Sequence, residues 1–244
     1  MMFDIQTAKD QGELRDQYED AYLGVVLREV NEIAAVCAIA DGLGGLQAGE
    51  RASRIAIQRI EDWIHHDVHL SIDYDQEIEK LFHEIHSAIQ EEAFSNHIQM
   101  GTTLTLIIIE KNQYHLYHVG DCRVYQRHQK LVQLSVDDTL AYRKWKLQEI
   151  SEKEYHLSDE KHILLQCLGT RKNFAIAKSK GNCTKGDCFF LCTDGLHNCI
   201  KAREITRALR ADKETLEKLI HLARLRGETD NITCMKIELC DDQG

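Results

Sequence analysis

A chain of 244 residues, 43% hydrophobic and 29% charged, has room for one large domain or two small ones and the make-up of an ordinary globular protein, which excludes disordered and fibrous classes. A formal net charge of −10 argues against a nucleic-acid partner, because there Lys and Arg must replace the counterions of the phosphates. Nine cysteines without a CxxC pair read as reduced core thiols of a cytoplasmic protein. Cys183, Cys188, Cys192 and Cys199 have none of the usual zinc-ligand spacings.

In chain order, Ala34–Ala40 is a short apolar run that stops at Asp41 and predicts a strand. Residues Ala48–His65 place Ala52, Ile55, Ala56, Ile60, Trp63 and Ile64 on one helical face, and Ile78–Phe94 repeats the pattern with Leu81, Phe82, Ile85, Ala88 and Ile89. Thr102–Glu110 is β-branched. Tyr114–Val119 and Arg123–Arg127 predict the next two strands, joined by Gly120-Asp121-Cys122. Segment 135–172 is polar and irregular, and reads as short helices or a mobile flap. Cys188–Cys192 and Asn231–Leu239 predict two further strands. Between them lies a helix with Asp212 as N-cap, a stripe of Leu216, Leu219, Ile220 and Ala223, and Gly227 as the C′ residue.

Neither repeats nor composition shifts mark a boundary, so residues 1–244 read as a single domain with a flap-like segment at about 135–172. Consecutive strands with short turns predict antiparallel sheets, and segregated helices predict an α+β layered domain. No basic region followed by a long apolar one opens the chain, and the longest apolar stretch, Leu104–Ile109, is too short to span a bilayer. No membrane partner is expected. Proline is absent, which excludes Pro-rich linkers and a slow proline-isomerisation phase in refolding.

Acidic residues recur where apolar runs stop. Glu19-Asp20 precedes Ala21-Tyr22-Leu23, Asp41-Gly42 follows Ala38-Ile39-Ala40, and Asp121 follows Val119-Gly120. Asp194-Gly195 ends the run Phe189–Thr193, and Asp230-Asn231 precedes Ile232-Thr233. Each alone is an ordinary turn. Five in one domain predict a rim of carboxylates whose repulsion would destabilise the fold unless cations intervene. Oxygen-only ligands suit Mg²⁺ and Mn²⁺, and a pair of such ions about 3.5–4 Å apart is a device for displacement at phosphorus.

These residues also fall into an ordered set of motifs. Gly12–Asp20 resembles Gly-x-x-Arg-x-x-Asn-Glu-Asp, Asp41-Gly42-Leu43-Gly44-Gly45 matches Asp-Gly-x-Gly-Gly, and Gly101-Thr102-Thr103 resembles a Gly-Thr-Thr strand opening. Val119-Gly120-Asp121-Cys122-Arg123 resembles Val-Gly-Asp-Ser-Arg, and Leu134-Ser135-Val136-Asp137-Asp138 resembles Leu-Thr-x-Asp-His. Thr193-Asp194-Gly195 and Asp230-Asn231-Ile232-Thr233 match two late motifs. Together they resemble the metal-dependent Ser/Thr protein phosphatases of the 2C type, especially the compact bacterial members, from residue 12 to 239.

That resemblance implies a central β-sandwich of two antiparallel sheets flanked by helices on both sides. It implies that Asp20, Asp41 and the Gly42 carbonyl hold two core ions, Mn²⁺ or Mg²⁺, with Asp41 bridging both and Asp194 and Asp230 completing the pair. Glu19 would act through metal-bound water, Asp121 would serve a third, weaker ion shared with Asp194, and Arg15 would bind the substrate phosphate. Water shared by two divalent ions loses its proton near neutral pH and can attack phosphorus in line. The implied activity is hydrolysis of phosphoserine and phosphothreonine by a metal-bridging hydroxide. The implied partners are phosphorylated targets of a cognate Ser/Thr kinase and that kinase itself, met by a monomer. A non-catalytic phosphoprotein-binding module and a small-molecule phosphoesterase are the competing readings. Departures from the pattern are Leu43 and Leu46, where some relatives carry a His able to protonate the leaving group, and Tyr18 and Cys122, in place of Asn and Ser. His118 reads as a strand residue.

Overall fold

The computed structural model describes residues 2–29, 32–43, 48–66, 74–170, 173–210 and 215–240. Asp212, Leu46 and the Gly44-Gly45 part of the glycine signature lie outside them. The described elements run β1 (Met2–Asp10), β2 (Asp20–Glu29), β3 (Glu32–Leu43), α1 (Gly49–His66), α2 (Tyr74–Ser95), β4 (Gly101–Thr102), β5 (Leu104–Glu110), β6 (Gln113–Val119), β7 (Arg123–Arg127), β8 (Leu131–Gln133), α3 (Leu140–Lys146) and α4 (Glu152–Leu157). A 3₁₀ turn (Asp159–His162), β9 (Ala177–Asn182), β10 (Cys188–Cys192), α5 (Asp194–His197), α6 (Ala202–Ala208), α7 (Thr215–Leu225) and β11 (Ile232–Cys240) complete the chain.

One sheet has the order β1-β11-β10-β7-β8 and the other β2-β3-β5-β6-β9, with β4 added beside β3. Neighbours in both are antiparallel. Period-two alternation sorts each central strand between two apolar layers. On β3, Ala35, Cys37 and Ile39 face the inter-sheet core with Phe189, Leu191, Met235 and Ile237. Val36, Ala38 and Ala40 face the other way, onto Ala52, Ala56 and Ile60 of α1 and Phe82 and Ile85 of α2. On the far sheet, Phe190 and Cys192 of β10 and Cys234 of β11 pack beneath Leu196, Ile205, Leu219 and Ile220 of α5, α6 and α7. The layers are therefore helix, sheet, sheet, helix, as expected.

Every central strand was legible as an apolar run. The four strands not foreseen, β1, β8, β2 and β9, are the four sheet edges. An edge strand buries less of itself and tolerates polar residues; β9 reads AKSKGN and is half-buried at alternate positions. The hairpin between β5 and β6 turns on Lys111 and Asn112, with φ of 45° and 63°, the two consecutive positive values of a type I′ turn. Helix α7 ends as foreseen at Gly227, φ 88°, where the amide of Glu228 reaches the Ala223 carbonyl and that of Gly227 the Arg224 carbonyl, a Schellman arrangement.

The described part of segment 135–172 carries the short helices α3 and α4 and the 3₁₀ turn. Ser151 and Glu154 close a capping box on α4, and Trp145 stacks on Tyr155 with centroids 5.3 Å apart. Arg123 anchors this layer to the sandwich through a bidentate pair with Asp137, at 2.6–3.1 Å, and a bond to the Tyr155 hydroxyl at 3.2 Å.

Candidate metal centre

Antiparallel pairing puts Asp20, the first residue of β2, directly opposite Asp41 of β3. The backbone of Asp41 is fixed on both sides: its amide donates to Thr103 Oγ1 at 2.9 Å, and its carbonyl accepts from the Thr103 amide and Thr102 Oγ1, each at 2.9 Å. Asp121 follows Gly120 in the β6–β7 turn. Gly120 has φ 114°, and a Cβ there would lie 2.5 Å from Thr103, so only glycine fits both the conformation and the space. Asp194 opens α5 after β10, and Asp230 sits just ahead of β11. These are the same ends of antiparallel strands, so all five carboxylates stand at one end of the sandwich.

Their electrostatics confirm a shared neighbourhood. Burial pushes the Asp41 carboxyl well above its usual range, and Asp20, Asp194, Asp121 and Asp230 push it further. Burial, partly countered by Thr233 and reinforced by Asp194, raises Asp20 to about 7. Asp121 is raised by burial and by Asp194, and Asp230 likewise. Asp194 alone goes down: burial opposes this, but the neighbouring imidazoles of His162 and His197 outweigh it.

Glu19 and Gly42 meet at the start of α1. The Gly42 amide donates to the Glu19 carbonyl at 3.2 Å. A Cβ on Gly49 would lie 2.4 Å from Glu19 Oε1 and 2.7 Å from the Gly42 carbonyl oxygen, so the bare Cα of Gly49 admits both oxygens. Arg15 reaches the same rim, with Nη2 2.7 Å from Asp230 Oδ1 and Nη1 3.9 Å from Glu19 Oε2.

Several participants were not legible beforehand. Asn231 accepts the Glu19 amide at 2.7 Å and donates to the carbonyls of Gln11 and Gln17 at 2.6 and 3.1 Å, tying the N-terminal loop to β11. Arg224 of α7 holds the Asp230 carbonyl at 2.8 Å and Asp10 at 2.5 Å. His162, from the 3₁₀ turn, places Nδ1 3.8 Å from Asp194 Oδ2, and His197 Nε2 lies 3.0 Å from the Asp121 carbonyl. Asn231 lies inside a recognised motif, which was a usable signal. His162 and Arg224 carry none, because each reaches the rim from a separate layer. His118 lies in β6 as expected, between Thr105 Oγ1 and the Gly120 carbonyl at 2.7 and 2.8 Å.

The donor set fits hard divalent cations: five aspartates, Glu19 and a peptide carbonyl, all oxygen, with Asp20 and Asp121 buried and the other carboxylates partly exposed. Among the described residues no three His, Cys, Asp or Glu side chains are closed up into an ion-holding cluster; repulsion between like charges opposes closer approach. Seven of the nine thiols are buried and two are half-buried. Their pKa values, where shifted, are raised chiefly by burial, the opposite of an activated thiol.

An α-β-β-α sandwich with oxygen donors and one arginine at a single end defines a class, the metal-dependent phosphatases. Within it the chain belongs to the protein phosphatase 2C family, which it matches over residues 16–229. The serine/threonine phosphatase stp of Listeria monocytogenes is 30% identical over 238 residues, covering 94% of this chain and 93% of that one. PstP of Mycobacterium tuberculosis is 29% identical over 245 residues, 95% of this chain and 44% of PstP. The crystal structure of the M. tuberculosis phosphatase PstP/Ppp superposes with a TM-score of 0.86 at 28% identity, covering 99% of this chain and 100% of that chain. The PstP catalytic domain in complex with two manganese ions gives 0.81 at 28% identity, covering 98% and 99%. No helix among the described residues is long and apolar enough to cross a membrane.

Proposed function

We propose that this chain removes phosphate from phosphoserine and phosphothreonine in proteins, with Asp20, Asp41, Asp194, Asp230 and the Gly42 carbonyl holding two manganese ions. The observation that carries this reading is the pairing of Asp20 directly opposite Asp41 at the strand ends, with Asp194, Asp121 and Asp230 close enough to act on Asp41, a crowding that divalent cations relieve. When bound, such ions lower the pKa of water and offset charge on phosphate oxygens. Asp41, opposite Asp20 and central among the other carboxylates, is placed to bridge. Arg15 offers a planar fork to phosphate oxygens at the rim. Glu19 acts through bound water, and Asp121 with Asp194 forms a weaker third site. Mg²⁺ shares the same preference for oxygen and is the alternative occupant.

Residues 1–244 act as one domain, with segment 135–172 as its flap. The substrates are phosphoproteins made by a cognate Ser/Thr kinase, the kinase among them, and the chain works as a cytoplasmic monomer. Nine cysteines without a CxxC pair support the reducing compartment. The test is release of phosphate from a phosphothreonine peptide with Mn²⁺, Mg²⁺ or a chelator. Turnover that survives chelation overturns the metal reading. A preference for p-nitrophenyl phosphate over every phosphopeptide supports the small-molecule alternative instead.

A further inference from the structure

We infer that Tyr18 is a positioning residue that orients Asp20 through Thr233, an inference that rests on Asp20 being a metal ligand. Tyr18 stands where the family pattern has Asn, so its role must come from this chain. Its hydroxyl is hydrogen-bonded to Thr233 Oγ1, and Thr233 Oγ1 lies 2.5 Å from Asp20 Oδ2. A threonine hydroxyl has one hydrogen. Given to the Asp20 carboxylate, it leaves Thr233 Oγ1 an acceptor, so the Tyr18 hydroxyl must donate. With Asp20 ionised, as a metal ligand must be, the direction is Tyr18 to Thr233 to Asp20.

A second hydroxyl follows the same logic. Thr193 Oγ1 accepts the Thr233 amide at 3.0 Å and lies 3.2 Å from Asp20 Oδ2. Among the described residues, the hydrogen bonds to the Asp20 side chain all fall on Oδ2. That arrangement leaves Oδ1 for the shared centre and stops the carboxylate from swinging. The Tyr18 ring is itself held in place. Lys9, the cross-strand partner of Thr233, sets its ammonium 5.0 Å from the ring centroid, a cation–π contact. Hydroxyl chains ending on a carboxylate polarise one another, and partners behind a metal ligand affect affinity although they never touch the ion.

The test uses the full chain and Mn²⁺ alone as probe, with calorimetric affinity as readout and melting in chelator as a report on the fold. Tyr18→Phe deletes only the donor. It should weaken Mn²⁺ binding by roughly 3–10-fold, at or just below the smallest effects of removing a partner that lies behind a metal ligand, while the metal-free melting temperature stays near wild type. Thr233→Val should weaken binding by about 10-fold or more, and Thr233→Ser, which keeps the hydroxyl, should restore it. A folded Tyr18→Phe protein with wild-type affinity, beside an Asp20→Asn protein whose affinity falls, overturns the inference alone. Unchanged affinity in Asp20→Asn overturns the ligand assignment and the inference together. If Tyr18→Phe melts early, the Thr233→Ser and Thr233→Val pair decides: equal affinities refute the relay.

Discussion

Arg15 Nη2 lies 2.7 Å from Asp230 Oδ1. The side chain expected to grip phosphate is thus already paired with one expected to hold a cation, and the pair is half-exposed. A cation held by Asp230 would compete for the same oxygen and would free the guanidinium to turn toward an anion. Arg15→Ala should raise KM for a phosphopeptide by about 3–10-fold with little change in kcat, a loss of about 1 kcal/mol for an exposed charge-assisted contact. Steady-state kinetics at saturating Mn²⁺ check this, and an unchanged KM would exclude Arg15 from phosphate binding.

Asp41 carries opposite consequences for activity and for metal-free stability. Asp41→Ala or Asp194→Ala should abolish hydrolysis of p-nitrophenyl phosphate. In chelator, Asp41→Asn should melt higher than wild type by the equivalent of about 1–2 kcal/mol, because one buried, mutually repelled acid is gone. Mn²⁺ should reverse the order, stabilising wild type by about 2.7 kcal/mol at one hundred times its Kd. Turnover of p-nitrophenyl phosphate reads the first effect, and calorimetric melting of wild type and Asp41→Asn with and without metal reads the other two.

Asp137 gives the pH prediction. Burial pushes its carboxyl up, but the Arg123 guanidinium outweighs this and leaves it below its ordinary value. A depressed carboxylate stabilises the fold above its unfolded pKa and loses that contribution as pH falls through the folded one. Asp137→Asn should therefore cost about 3 kcal/mol at pH 7, since it strands a largely buried Arg123. The gap to wild type should narrow only below about pH 4. Denaturant titrations from pH 3 to 7 test it; a gap that closed near pH 6 would point to a different group.

Glycines at the rim are constrained by oxygen atoms. A Cβ on Gly42 would lie 2.2 Å from the Gly49 carbonyl oxygen and 2.6 Å from that of Glu19. Both obstacles are backbone and cannot swing away. Gly42→Ala should destabilise the protein by about 1–3 kcal/mol and weaken Mn²⁺ binding. Gly186→Ala, with nothing within 4 Å of its Cβ position but φ 85°, should cost about 1 kcal/mol from backbone strain alone and leave Mn²⁺ affinity intact.

The amino-acid sequence by itself determined the central strands, the three longer helices and the carboxylates that end the strands. Those features depend on local patterning: runs such as Leu104–Ile109 have nowhere to go but a two-faced core, and an Asp beside Gly marks where such a run must stop. Tertiary structure decided the edge strands, the layering of segment 135–172 and the side chains that reach the rim from elsewhere. Thr233 lies 215 residues from Tyr18 and 213 from Asp20, and no periodicity links them. Their meeting follows from the β1–β11–β10 pairing that brings Thr193 and Thr233 beside the start of β2. A hydrogen-bond chain needs angstrom-level placement, and only the packed sheets supply it.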